Sequence, residues 1–94
     1  MNFIELFNEL IKLAKTDGRD EIPTATSLDD NAADIGLDSL DLVLIAMFLG
    51  ELYGLDDEAS RDIPFTTLGD TVEFLHRHQT QEVTSIKDAI KAVK

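Results

Sequence analysis

The run Asp34-Ile35-Gly36-Leu37-Asp38-Ser39-Leu40-Asp41-Leu42-Val43 sets one hydroxyl at the seam between a polar stretch and a strongly apolar one. Asp38 has the side chain of a good helix N-cap, which makes Ser39 the first helical residue and puts Asp41 in an acidic first turn. A serine in that position is exposed. A group esterified to its oxygen lies beside unpaired backbone N–H groups and the positive end of the helix dipole, an environment that suits a phosphate ester.

Other residues with chemical potential offer less. Ser39 with His76 or His78 does not make a hydrolase, because no Gly-x-Ser-x-Gly elbow or oxyanion loop is present. A domain this small also has little volume for a substrate pocket. His76 and His78 are two apart on an expected helix, so they point to different sides and form a poor metal pair. Asp29, Asp30, Asn31 and Asp34 lack the glycine and the glutamate that a calcium loop needs at its sixth and twelfth positions. They read as a solvated loop, and Asp56-Asp57-Glu58 as surface charge. No metal site is expected.

The elements that must position Ser39 follow from periodicity. From Asn2 to Lys15, Phe3, Ile4, Phe7, Leu10, Ile11 and Ala14 recur at intervals of three and four, the mark of an amphipathic helix. It is expected to stop near Thr16-Asp17-Gly18. Arg19 to Leu37 has no sustained period and reads as a long loop, tacked down by Ile22, Leu28, Ile35 and Leu37. A loop of that length tends to be functional, and this one delivers Ser39. The second helix is expected over Ser39 to Tyr53, closed by Gly54. It is apolar nearly all round, with Leu40, Val43, Met47, Gly50 and Tyr53 on one stripe and Leu42, Ile45, Leu49 and Leu52 beside it. Leu44 and Phe48 occupy a third side.

Leu55 to Asp62 has room for a short helix or turn. A last main helix is expected to begin at Thr67, with Asp70 as capping-box partner, and to run to about His78. Leu68, Val72 and Leu75 form its inner face, with Phe74 at the edge. The chain thus divides into a bundle, residues 1–79, and a tail, residues 80–94, which is either a short extra helix or a frayed end. In the tail Ile86, Ala89, Ile90 and Val93 keep helical spacing.

Ninety-four residues make one small domain, and 44% apolar residues argue for a packed one. Residues 1–79 hold 17 acids and 5 bases, a balance of −12, whereas residues 80–94 hold 2 acids and 3 bases, +1. Such a body repels nucleic acid and anionic lipid and attracts basic partners. There is no cysteine, so any thiol chemistry must come from a prosthetic group. No segment reaches membrane-spanning length, and Glu5 and Glu9 fall where a signal peptide would be uncharged. A cytoplasmic monomer without a membrane span is expected.

The stretch from Asp34 to Leu49, with Asp38-Ser39-Leu40 at its centre, closely resembles the modification site of acyl carrier proteins. A second correspondence lies in Phe65-Thr66-Thr67-Leu68-Gly69-Asp70-Thr71-Val72-Glu73-Phe74-Leu75. The resemblance covers the chain to about His78 and implies an all-α fold: a four-helix bundle of three long helices and one short, with the long loop between the first two. It implies no catalysis by the chain itself. A phosphopantetheinyl transferase would move 4′-phosphopantetheine from coenzyme A to Ser39, with Asp38 helping to handle magnesium. Acyl-loading and acyl-transferring enzymes of fatty-acid, polyketide or related biosynthesis would then use the arm's thiol to carry acyl groups as thioesters.

The family's second helix usually shows several outward acids to basic partner enzymes. Here Leu44 and Gly50 stand where acids are common and Phe48 where a smaller residue is usual, leaving Asp38, Asp41 and Glu51. Asp41, Leu44, Phe48 and Glu51 are therefore the expected partner-binding residues of a specialised stand-alone carrier, with Leu44 and Phe48 either exposed as a partner patch or covered as core by the long loop, the short third helix or the tail. Two other functions stay open. One is an unmodified acidic helical module for protein interaction. The other is an aminoacyl or peptidyl carrier, disfavoured because Gly36-Leu37-Asp38-Ser39 stands where peptidyl carriers commonly show Gly-Gly-His-Ser or Gly-Gly-Asp-Ser.

Overall fold

Helices in this chain start where a short polar side chain folds back on its own backbone. In the computed structural model, which describes residues 2–14 and 23–93, Asn2, Asn31, Asp38, Asp56, Thr67 and Ser85 each accept a hydrogen bond from an N–H two or three residues on. Each satisfies a donor that the first helical turn leaves open. The helices that follow are α1 (Phe3–Ala14), α2 (Ala32–Ile35), α3 (Ser39–Tyr53), α4 (Asp57–Arg61), α5 (Leu68–His78) and α6 (Ile86–Val93). There is no strand among the described residues, so the fold is all-α.

The central element is α3, which packs against α1, α4, α5 and α6. From α1 come Phe3, Leu6, Phe7, Leu10 and Ile11, all buried. Leu6, at 0% exposure, is more central than the expected Ile4 and Ala14, which are half-buried. From α3 come Ile45, Leu49, Leu52 and Tyr53, and from α5 Leu68, Thr71 and Leu75. Burying one such leucine contributes about 1.5–3 kcal/mol. Thr71 replaces the expected Val72 at the centre of α5. Its hydroxyl donates to Pro64 O and Thr67 O, which is what lets a polar group sit there. Ala89 of α6 joins the same core, so the tail forms a helix packed on the bundle.

The expected end of the first helix at Thr16-Asp17-Gly18, and Ile22, lie outside the described residues. The rest of the long connection is tied down by its backbone. Asn8 clamps Ala25 from both sides, Nδ2 donating to Ala25 O at 3.0 Å and Oδ1 accepting from Ala25 N at 2.6 Å. Asp30 and Leu28 lend carbonyls to the first two N–H groups of α5, Leu68 N at 2.9 Å and Gly69 N at 2.7 Å. One correction concerns residues 32–35, expected as loop. Asn31 caps them at the start and Gly36, at φ 102°, closes them, giving a single turn of helix too short to show any period.

Asp30 also organises the turn before it. Its carboxylate accepts from Thr26 N, Ser27 N and the Thr26 hydroxyl. The Thr26 N–H, followed by the Ser27 N–H, holds its pKa below the ordinary aspartate value. The folded pKa is depressed, so this stabilisation is complete above the unfolded value, about 3.9. It is lost as pH falls through the folded pKa. Asp30→Ala should therefore melt below wild type near neutral pH, with the gap closing as pH drops through the acid range. Thermal melts of both proteins across that range test this, and a constant gap would contradict it.

Candidate functional site

Ser39 is held in place by three neighbours. Gly36 ends α2, Leu37 is anchored at 6% exposure with its N–H donating to Ala32 O, and Asp38 then caps α3. The cap is reciprocal: Asp41 N donates to Asp38 Oδ1 at 2.9 Å and Asp38 N donates to Asp41 Oδ2 at 3.2 Å. Ser39 itself is exposed, and its hydroxyl bonds to no other described residue. Asp38 and Asp41 hold the helix end, and the Ser39 hydroxyl is left exposed.

On a helix, residues three, four and seven positions on share a flank. From Ser39 these are Leu42, Val43 and Ala46. They form one wall of an open groove of about 760 Å³, whose other wall is built from Leu55, Ile63 and Phe65 beside α4. That volume lies within the usual range for small-molecule sites, about 300–1,000 Å³. Glu51, Asp57, Ser60 and Arg61 make one part of the lining polar. The groove depends on a close crossing. A Cβ on Gly50 would lie 1.9 Å from Ser60 Oγ and 2.9 Å from Ser60 Cβ, so only glycine lets α4 approach α3 this closely.

The partner residues expected from sequence are distributed differently. Glu51 is exposed as expected, and Leu44 and Phe48 are half-buried, Phe48 against the core. Asp41 is 7% exposed, and its carboxylate accepts from Asp38 N. The most exposed apolar side chains of α3 are instead Leu40, Val43 and Met47, at 68%, 55% and 60%. They start next to Ser39, and Val43 and Met47 also line the open groove beside α4. The sequence carried this stripe, but an all-round apolar helix gives no way to tell its outer stripe from its inner one.

His76 and His78 are exposed, and the His78 ring packs on Phe74 with centroids 4.3 Å apart. No group of three or more potential metal ligands occurs among the described residues. No helix among them is long and apolar enough to cross a membrane. No family model, curated protein or solved structure matches the chain.

Proposed function

We propose that this chain is a carrier protein, with 4′-phosphopantetheine attached to Ser39 and acyl cargo held as a thioester. The observation that carries the reading is the exposed Ser39 hydroxyl at the head of α3, unbonded within the described residues, with an apolar groove lined by Leu42, Val43 and Ala46 further along the same helix. The site suits the group. Asp38 already caps the helix, so esterifying Ser39 removes no structural hydrogen bond. The Ser39 and Leu40 N–H groups make no hydrogen bond within the described residues, and open first-turn N–H groups favour a nearby anion such as a phosphate ester. When bound, the group would supply the thiol that a chain without cysteine lacks.

The chain's own part is to present, shield and dock. The Ser39 oxygen is presented to a phosphopantetheinyl transferase, with Asp38 beside it for the magnesium and coenzyme A. The groove between α3 and α4 offers an apolar cargo shelter from water, each buried CH₂ contributing about 0.8 kcal/mol. Leu40, Val43 and Met47, with Glu51 nearby on α3, offer loading and transferring enzymes a mixed apolar and acidic surface. That same surface favours a second reading, an unmodified interaction module that docks basic partners without any arm.

Intact mass separates the two. After incubation with coenzyme A, magnesium and a broad-specificity transferase, the protein should gain the mass of one phosphopantetheine. A folded chain that gains nothing would leave the interaction module standing and remove the carrier.

A further inference from the structure

The C-terminal segment is joined to the bundle in two unlike ways. At its root it finishes α3. Thr80 N donates to Tyr53 O at 2.9 Å, the Thr80 hydroxyl to Gly54 O at 2.7 Å, and Gln81 Nε2 to Leu52 O at 2.7 Å and Glu51 O at 3.0 Å. These are carbonyls of the kind that the last turn of a helix leaves open. The fit is close, since a Cβ on Gly54 would lie 2.1 Å from Thr80 Oγ1. The root therefore stays in place as long as α3 does.

Beyond an irregular stretch over residues 82–85, α6 is held quite differently. It lies across both α1 and α3, yet only Ala89 is buried, while Ile86, Ile90 and Val93 are half-buried. Among the described residues no hydrogen bond or ion pair joins an α6 side chain to the bundle, and Lys87 and Lys91 are exposed. An isolated helix shorter than about 12–15 residues is marginal in water, so these eight residues are helical because they are docked. A helix held by apolar contact alone on an irregular link has few of the contacts that resist local opening.

What lies beneath it follows from the other neighbours of α3. Gly50 faces α4, while Leu40, Val43 and Met47 face solvent. α6 touches α1 and α3 together, and Phe48 of α3 and Ile86, Ile90 and Val93 of α6 pack against the same core. The charge is lopsided between the two segments: residues 1–79 have a balance of −12 and residues 80–94 one of +1.

We propose that the groove between α1 and α3 is a docking site for a basic amphipathic helix of a partner protein, and that α6 is its displaceable occupant in cis. The partner's pattern is that of α6 itself: apolar residues at i, i+3, i+4 and i+7, with lysine or arginine on the outer side. A more basic helix than α6 gains the long-range attraction of the acidic bundle that α6 uses weakly. Docking there would leave Ser39 and the groove beside α4 open.

The probe is a fluorescent peptide of residues 80–94 carrying Asp88→Lys, titrated into the full chain and into its Ala89→Glu variant. The peptide should bind Ala89→Glu at least tenfold more tightly than wild type, and more weakly at high salt. In native-state hydrogen exchange of wild type, α6 amides should exchange at least a hundredfold faster than those at the centres of α1 and α3. Equal protection of α6 and α1 would overturn the proposal, as would a folded Ala89→Glu that ignores the peptide. Dimers of the full chain that exchange α6, and that the peptide does not dissolve, would also overturn it by making a second copy the occupant.

Discussion

Ser39→Ala should accept no phosphopantetheine and yet melt where the wild type melts, whereas Asp38→Ala should be clearly less stable. The Ser39 hydroxyl is exposed and unbonded within the described residues. Its loss removes nothing from the fold, and alanine is the better helix former, so the change in stability should stay within about 0.5 kcal/mol. Asp38 is different. It accepts from Asp41 N, and its own N–H donates to the Asp41 carboxylate, which the cap holds at 7% exposure. Losing an aspartate N-cap costs about 0.5–2 kcal/mol. In a domain of this length, each kcal/mol moves the melting temperature by roughly 4–8 °C. Intact mass and thermal melts of the two variants decide the matter. Modification persisting in Ser39→Ala would remove Ser39 as the attachment point, and equal melting of Asp38→Ala and wild type would remove the cap from its structural role.

The second large effect is expected at the crossing of α3 and α4. Gly50→Glu would add an acidic side chain at the crossing, but its Cβ would fall on Ser60 Oγ and within 2.9 Å of Ser60 Cβ. The helix would have to move away, and overpacking of this kind typically costs about 1–3 kcal/mol. That cost outweighs the helix propensity gained over glycine, about 1 kcal/mol or less. Ser60→Gly removes both clashing atoms, so the double variant should recover most of the loss beyond the sum of the single effects. Urea unfolding of the four proteins measures the coupling. Additive effects would mean that the crossing tolerates a side chain at position 50. Because α4 forms part of the groove wall, Gly50→Glu should also open the groove and leave an apolar cargo more exposed to water.

Much of this architecture was legible because it is local chemistry. The limits of α3 were readable from Asp38 and Gly54, since a capping carboxylate and a left-handed glycine act within a few residues of themselves. The same holds for Thr67 at the head of α5 and for the helical spacing of Ile86, Ala89, Ile90 and Val93. The exposure of Ser39 follows from being first in a capped helix. Other features depend on distant parts of the chain. The turn over residues 32–35 has no period to detect, and its start rests on an Asn31 that looks like any loop residue. Thr71 is buried only because Pro64 O and Thr67 O come within reach of its hydroxyl.

By itself, the sequence determined where helices begin and end, which hydroxyl heads α3, and that the bundle is strongly acidic. Only the tertiary structure decided which side of α3 faces water. That helix is apolar on every side, so no periodicity separates an inner stripe from an outer one, and its orientation is settled by the helices packed around it. With α4 against Gly50 and α1 and α5 on the inner side, Leu40, Val43 and Met47 are left exposed. Asp41, which bonds reciprocally with Asp38, is 7% exposed. Residue type dictates what a side chain costs to bury, but burial itself is set by neighbours that lie far away in the chain.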